Sequence, residues 1–190
     1  MNDLKNDIDE CCRVLATGGL ILYPTDTIWG IGCDATNEDA IKKIYQLKKR
    51  EEKKSMIILV ADEKEIFNYV EDPDKKIFGY LSSAKKPTTV IYEHAKNLAQ
   101  NLISDDGTVA IRIVKDEFCK ALITQFKKPI VSTSANISRE PFPKNFADIG
   151  MAIKNGVDFI VQHRQNDLMS SQPSSIIKLN NKGEIEILRN

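Results

Sequence analysis

Histidine is nearly missing from this chain, with two in 190 residues. His94 and His163 stand apart in polar surroundings, so both read as surface residues rather than as a metal pair. Cysteine is scarce too. Cys11, Cys12, Cys33 and Cys119 form no CxxC pair and no Cys/His cluster, which points to reduced, mostly buried thiols rather than to a zinc site or a disulfide framework. No apolar run approaches the roughly 20 residues of a membrane span. The start, Met1-Asn2-Asp3-Leu4-Lys5-Asn6-Asp7, lacks the apolar stretch of a signal peptide. The expected setting is therefore cytoplasmic, without membrane contact. Net charge is absent as well: 27 Lys plus Arg balance 27 Asp plus Glu, which removes overall basicity as an argument for a nucleic-acid partner. No repeat, low-complexity tract or linker interrupts the chain.

What is present is a soluble composition, 42% hydrophobic and 28% charged, of a size for one well-buried core over residues 1–190. Leu4, Ile8, Cys11 or Cys12, and Leu15 recur at helical spacing, and Thr17-Gly18-Gly19 ends that helix. Leu20–Tyr23 is an apolar strand. Asn37 can cap a second helix with Ala40, Ile41, Ile44, Tyr45 and Leu47 on its apolar side. Met56–Val60 is a fully apolar strand. Residues 62–83 read as two short helices broken at Asp72-Pro73-Asp74. Strands Thr88–Tyr92 and Thr108–Ile113 follow, then a helix over Asp116–Phe126 and a strand over Ile130–Thr133. A helix near Phe146–Lys154 and a strand Val157–Val161 come next. Ser175–Leu179 and Glu184–Leu188 form a hairpin through Asn180-Asn181-Lys182-Gly183.

Four segments carry chemistry. Tyr23-Pro24-Thr25-Asp26-Thr27-Ile28-Trp29-Gly30-Ile31-Gly32 packs turn formers and hydroxyls where a buried strand surfaces, which suits a small-molecule site or a polar turn closed by Asp26. Lys42, Lys43, Lys48, Lys49, Arg50, Lys53 and Lys54 gather positive charge, offset only by Glu51 and Glu52. This is a phosphate grip or a solvated helix end. In Val109–Ile113, alternation puts Val109, Ile111 and Ile113 on one face and Ala110 with Arg112 on the other. An arginine half covered by a sheet needs an anionic partner, either a ligand carboxylate or an internal carboxylate. Ser132-Thr133-Ser134-Ala135-Asn136 ends a strand in short hydroxyl residues that let a ligand approach the backbone, or else Asn136 and Ser138 cap the next turn. No Ser-His-Asp or Cys-His pairing suggests a covalent nucleophile.

Taken together these blocks resemble the YrdC family, the threonylcarbamoyl-AMP synthases. The first segment is similar to the PTDTxYGL signature, with Trp29 where Tyr is usual. Lys48-Lys49-Arg50 with Lys54 resembles K-x-R-x-x-x-K, Thr108–Arg112 resembles TVAxR, and Ser132–Ser138 resembles STSANxSG. Ser174-Ser175-Ile176-Ile177 is a weaker match to a late S-T-hydrophobic element, followed by Leu188-Arg189. Departures are Val114 for the proline of R-x-P, Arg139 for the glycine after SANxS, Ser175 for Thr, and a WPGPxT stretch reduced to Pro87 and Thr89 in 84–89.

The resemblance implies an α/β fold, a YrdC-like twisted mixed sheet with flanking helices and a concave basic face, of the short branch without a C-terminal extra domain. It implies synthesis of threonylcarbamoyl-AMP and pyrophosphate from L-threonine, bicarbonate and ATP, with Mg2+ accompanying ATP. The product would serve tRNA modification, with tRNA met directly or through a downstream threonylcarbamoyl transferase complex. By resemblance Lys48 and Arg50 are catalytic. Thr25, Thr27, Arg112, Ser132 and Ser174 face threonine, while Lys48, Arg50, Lys54, Thr108, Ser134, Asn136 and Arg189 face ATP. No side chain is singled out as a metal ligand. Asp26 either orders its loop through backbone N–H groups or helps hold magnesium, and the first role is preferred. Catalysis would come from alignment and charge neutralisation in a dry pocket. An RNA-binding module of the same fold is the alternative, weakened by few aromatics near Lys48–Lys54. A carbamoyl-transfer role like that of hydrogenase maturation proteins is disfavoured by the lack of zinc-finger cysteines and of an acylphosphatase domain.

Overall fold

The computed structural model describes residues 2–51, 56–167, 172–179 and 183–190. Its elements are α1 (Asn2–Ala16), β1 (Ile21–Tyr23), β2 (Gly30–Gly32), α2 (Glu38–Lys48), β3 (Ile57–Val60), α3 (Ile66–Tyr69), α4 (Lys76–Ser83), β4 (Thr88–Tyr92), β5 (Val109–Ile113), α5 (Glu117–Phe126), β6 (Ile130–Ser134), α6 (Met151–Lys154), β7 (Phe159–Ile160), β8 (Ser175–Leu179) and β9 (Ile185–Arg189). The strands join one mixed sheet in the order β7-β1-β2-β6-β3-β5-β4-β8-β9. β3 pairs β5 in parallel, and β5 pairs β4 antiparallel.

Strand alternation divides the core. Ile58, Val60, Val109, Ile111 and Val131 point into a large cluster with Ile41, Ile44 and Tyr45 of α2. Their neighbours Ile21, Tyr23, Leu59 and Ile130 point the other way, under Val14 and Leu15 of α1 and Phe118 and Leu122 of α5. Each such side chain contributes about 1.5–3 kcal/mol by burial. Helices α1 and α5 cover only part of this second face. Beyond them Ala110, Arg112, Ser132 and Ser134 carry the same face onward, and there the sheet opens into a cavity.

Local chemistry fixes the helix ends. Asn37 accepts from Asp39 N (3.0 Å) and Ala40 N (3.1 Å), as expected of a cap. Asp116 does the same for α5 through Cys119 N at 2.9 Å. Gly18, at φ +72°, turns the chain out of α1. The four cysteines are free, and burial raises the thiols of Cys11, Cys33 and Cys119 above their ordinary range.

Some expectations need correction. Gly30–Gly32, read as loop, is strand β2, paired with β1 and β6. The helix expected over Phe146–Lys154 is confined to Met151–Lys154, because Asn145 takes the N–H groups of Ala147 (3.0 Å) and Asp148 (3.3 Å) in a competing turn. Phe146 instead packs against Trp29 in a tilted pair, with centroids 4.8 Å apart. Val157–Val161 shortens to Phe159–Ile160. His163 is not a plain surface residue. It is half-buried and stacked on Phe118 at 5.7 Å, with its N–H on the buried Asp7 carboxylate. β8 and β9 pair antiparallel as expected, while turn residues Asn180, Asn181 and Lys182 lie outside the described residues.

Candidate functional site

A cavity of about 350 Å³ opens on the uncovered part of the sheet. Three arginines reach it from separate elements: Arg50 beyond α2, Arg112 on β5 and Arg189 at the end of β9. Thr27, Ser132, Ser134 and Ser174 supply hydroxyls, and Ile28, Met56, Ile57, Ile91, Ala110 and Ile176 supply apolar wall. A larger depression of about 610 Å³ lies beside Glu71, Asp72, Asp74 and Glu93, whose charges suit no anion.

The loop after β1 is held by its own hydroxyls. Thr25 Oγ1 donates to Ile28 O (2.8 Å), lies 2.9 Å from Thr27 Oγ1 and accepts Thr27 N–H at 3.0 Å. Thr27 thereby faces the cavity and Thr25 is buried behind it. Arg164, unmarked by any sequence motif, secures the loop from outside by donating to Thr25 O at 3.2 Å.

Asp26 joins this loop to β5. One carboxylate oxygen accepts Lys115 N–H at 3.3 Å, and the other lies 3.1 Å from Arg112 Nη2. The preferred role for Asp26, ordering its own loop through backbone N–H groups, is corrected: the backbone N–H it takes is Lys115's, after β5, and the loop's own Thr27 N–H goes to Thr25. Arg112 is 3% exposed and has the internal carboxylate partner of the second reading, while it also lines the cavity. The ion pair lacks hydrogen-bond alignment, and Arg112 Nε is buried without a hydrogen-bond partner. A guanidinium neutralised yet under-bonded has donors left for a second carboxylate.

From β9, Arg189 Nε and Nη2 donate to Ser174 O at 3.0 and 2.8 Å, and Ser174 Oγ lies 2.8 Å from the hydroxyl of Thr89, the β4 residue paired with Arg112. Arg189 is exposed as a residue, but partial desolvation of its guanidinium, then the like charge of Arg112, lowers its pKa. Burial likewise lowers that of Arg50. Cations desolvated in this way gain more from an anion than solvated ones do.

Lys48 is a correction. It is 1% exposed, and its ammonium donates to the backbone carbonyls of Ser134 and Asn136 (2.6 Å to the latter) rather than facing the cavity. Burial, with Arg50 second, pushes its pKa down to about 7. Between that value and the ordinary 10.5, the unfolded chain holds a proton that the folded chain lacks, so stability should rise with pH. Relative to Lys48→Met, the wild type should gain up to about 1.4 kcal/mol per pH unit across that window. Melts of both proteins at pH 7 and 9 check this; a constant difference would return the ammonium to its ordinary value.

Of the expected residues, the fold gathers Thr27, Arg50, Arg112, Ser132, Ser134, Ser174 and Arg189 around the cavity. Lys54 lies outside the described residues. Thr108 is elsewhere, its N–H and hydroxyl both taken by Asp106 (3.1 and 2.7 Å). Asn136 donates to Ile137 O and Glu140 O, closing the turn rather than lining the wall. Phe142, 44% exposed at the cavity, belongs to none of the motif blocks, although an aromatic between Pro141 and Pro143 is a visible signal.

Arg139 explains one departure. Its φ of +74° is left-handed, the conformation for which glycine carries no penalty. Its ion pair with Glu51 (3.3 Å) is exposed and offsets little. Arg139→Gly should stabilise by about 0.5–1 kcal/mol, or roughly 1–4 °C in Tm. A thermal melt showing a loss would refute the strain.

A mixed sheet with flanking helices defines an α/β fold, and it brings three arginines and several small hydroxyls to one cavity. Comparison with known proteins narrows this. The chain belongs to the Sua5/YciO/YrdC family, whose family model, described as telomere recombination, matches residues 13–190. The threonylcarbamoyl-AMP synthase of Idiomarina loihiensis is 33% identical over 180 residues, covering 93% of this chain and 96% of that protein. The threonylcarbamoyl-AMP synthase of Coxiella burnetii is 27% identical over 186 residues, covering 94% and 100%. Two solved structures share the fold. E. coli YciO overlays with a TM-score of 0.82 at 19% identity, over 96% of this chain and 88% of that one. P. abyssi Sua5 complexed with L-threonine overlays with a TM-score of 0.84 at 22% identity, over 96% of this chain. This chain spans about half, 53%, of that longer protein.

Proposed function

We propose that this chain is an L-threonylcarbamoyladenylate synthase, a nucleotidyltransferase that joins L-threonine, bicarbonate and ATP and releases pyrophosphate. The observation that carries this is a single cavity ringed by three arginines and small hydroxyls. Arg112, Ser132 and Thr27 would take a small amino acid bearing a carboxylate and a hydroxyl. Arg50, Ser134 and Arg189 would take phosphates. The names of its relatives and the threonine bound to P. abyssi Sua5 support the same reading.

The chemistry asks for alignment more than for a nucleophile. Threonine's amine adds to carbon dioxide with loss of a proton, or to bicarbonate with loss of water, and the carbamate oxygen attacks the α-phosphate of ATP, breaking the α–β phosphoanhydride bond. Arg50 and Arg189 would hold charge that builds on the leaving pyrophosphate. No group of three His, Cys, Asp or Glu side chains that could hold a metal ion occurs among the described residues. Asp26 is engaged with Arg112 and Lys115. Magnesium would therefore be carried mainly by the triphosphate and water, which suits its reluctance to shed its hydration shell. The product would pass to tRNA through a downstream threonylcarbamoyl transferase, in the cytoplasm. Among the described residues no helix is long and apolar enough to cross a membrane. No observation here favours the RNA-binding alternative.

The test is release of pyrophosphate from ATP, with mass-spectrometric detection of threonylcarbamoyl-AMP. It should require both threonine and bicarbonate. Release indifferent to threonine would refute the assignment.

A further inference from the structure

Lys48 does not line the cavity, yet it joins two elements that do. Its ammonium donates to Ser134 O and Asn136 O, and its own carbonyl accepts Ser138 N–H at 2.8 Å. The chain leaves α2 through Lys49 at φ +48°, with Arg50 N–H bonded to Tyr45 O at 2.9 Å. Arg50 and Ser134, which both line the cavity, are thus held by one side chain and its backbone.

We infer that Lys48 is a positioning residue that clasps the 134–138 turn to the end of α2, setting the placement of Arg50 against Ser134 on the phosphate side of the cavity. The geometry explains why a lysine is needed in an apolar setting. Its four methylenes fill the space below the turn, and only its head has donors enough for two converging carbonyls. Methionine matches the stem but takes a donor from each carbonyl, leaving Ser134 O only the Asn136 N–H at 2.9 Å and Asn136 O without the lysine, so the turn must move to find water or another partner. The clasp holds the end of β6 and the turn after it rather than β5, so the Arg112 contact to the amino acid does not depend on it. The inference rests on the reading that this cavity takes ATP.

Calorimetric titration of wild type and Lys48→Met, with ATP and with threonine separately, tests it. The variant's Kd for ATP should rise at least about ten-fold, the weight of one charge-assisted hydrogen bond that a misplaced Arg50 no longer makes, while that for threonine stays within about two-fold. Unchanged ATP affinity in a folded variant overturns the clasp, as does equal weakening of both ligands, which marks general loosening. Wild type that takes up no ATP removes the functional reading and the clasp's purpose together. Should the variant not fold, amide exchange on the unsubstituted protein decides. On ATP addition residues 49–51 and 135–138 should slow together; one segment slowing without the other overturns the coupling.

Discussion

Arg112→Lys is expected to raise the threonine requirement at least about ten-fold while shifting that for ATP by less than about two-fold. Lysine keeps the charge that Asp26 needs, 3.1 Å away, so the ion pair can survive. It loses the planar fork, and with it the buried Nε that has no hydrogen-bond partner within the protein. A two-point contact to a carboxylate reduced to one point costs roughly 1.5–3 kcal/mol. Arg112→Met would be a poorer probe, because stranding Asp26 costs about 3–5 kcal/mol of stability and confounds binding with folding. Melting curves and threonine titrations on the same Arg112→Lys sample separate the alternatives. A lowered Tm beside a normal titration would make Arg112 a structural ion-pair partner alone.

Arg112 also shows what is visible in the sequence. Period-2 alternation along Val109–Ile113 puts it opposite the core face, and that is where β5 places it. The identity of its resident partner is not legible, because Asp26 is far off along the chain and only the tertiary fold brings the loop after β1 to the end of β5. Lys48 escapes a motif reading for a different reason. Its charge suggests a ligand-facing role, yet it stands three, four and seven positions after Tyr45, Ile44 and Ile41, the buried stripe of α2. Helical spacing alone is enough to place it inside. Thr108 matches a motif, although Asp106-Gly107-Thr108 spells a local turn in which the aspartate captures the threonine. Motif matching locates the cavity well and errs on residues whose donors and acceptors are already engaged with backbone or a near neighbour.

β2 is hidden because Gly30-Ile31-Gly32 has the composition of a turn, and only the close approach of its neighbours makes glycine necessary. That closeness predicts two different outcomes from one kind of substitution. A Cβ on Gly32 would lie 2.6 Å from Tyr23 Cε1 and 2.9 Å from Val131 O. Tyr23 is fully buried and its hydroxyl donates to the same Val131 O at 3.3 Å, so neither neighbour can yield cheaply. Gly32→Ala should therefore lose about 3 kcal/mol, at the upper end of overpacking costs, and roughly 6–12 °C in Tm. A Cβ on Gly30 meets Ser132 Oγ at 3.0 Å and Thr133 O at 3.3 Å. The Ser132 hydroxyl can rotate away, so Gly30→Ala should lose less than about 1 kcal/mol of stability. Its new methyl enters the cavity and displaces the hydroxyl expected to face the amino acid, so threonine affinity should fall about ten-fold. Denaturant melts of both variants, with a threonine titration of Gly30→Ala, test the pair. Equal destabilisation of the two would mean that Gly30 serves strand packing rather than the site, and a Gly32→Ala protein as stable as wild type would contradict the packing of Tyr23 against β2.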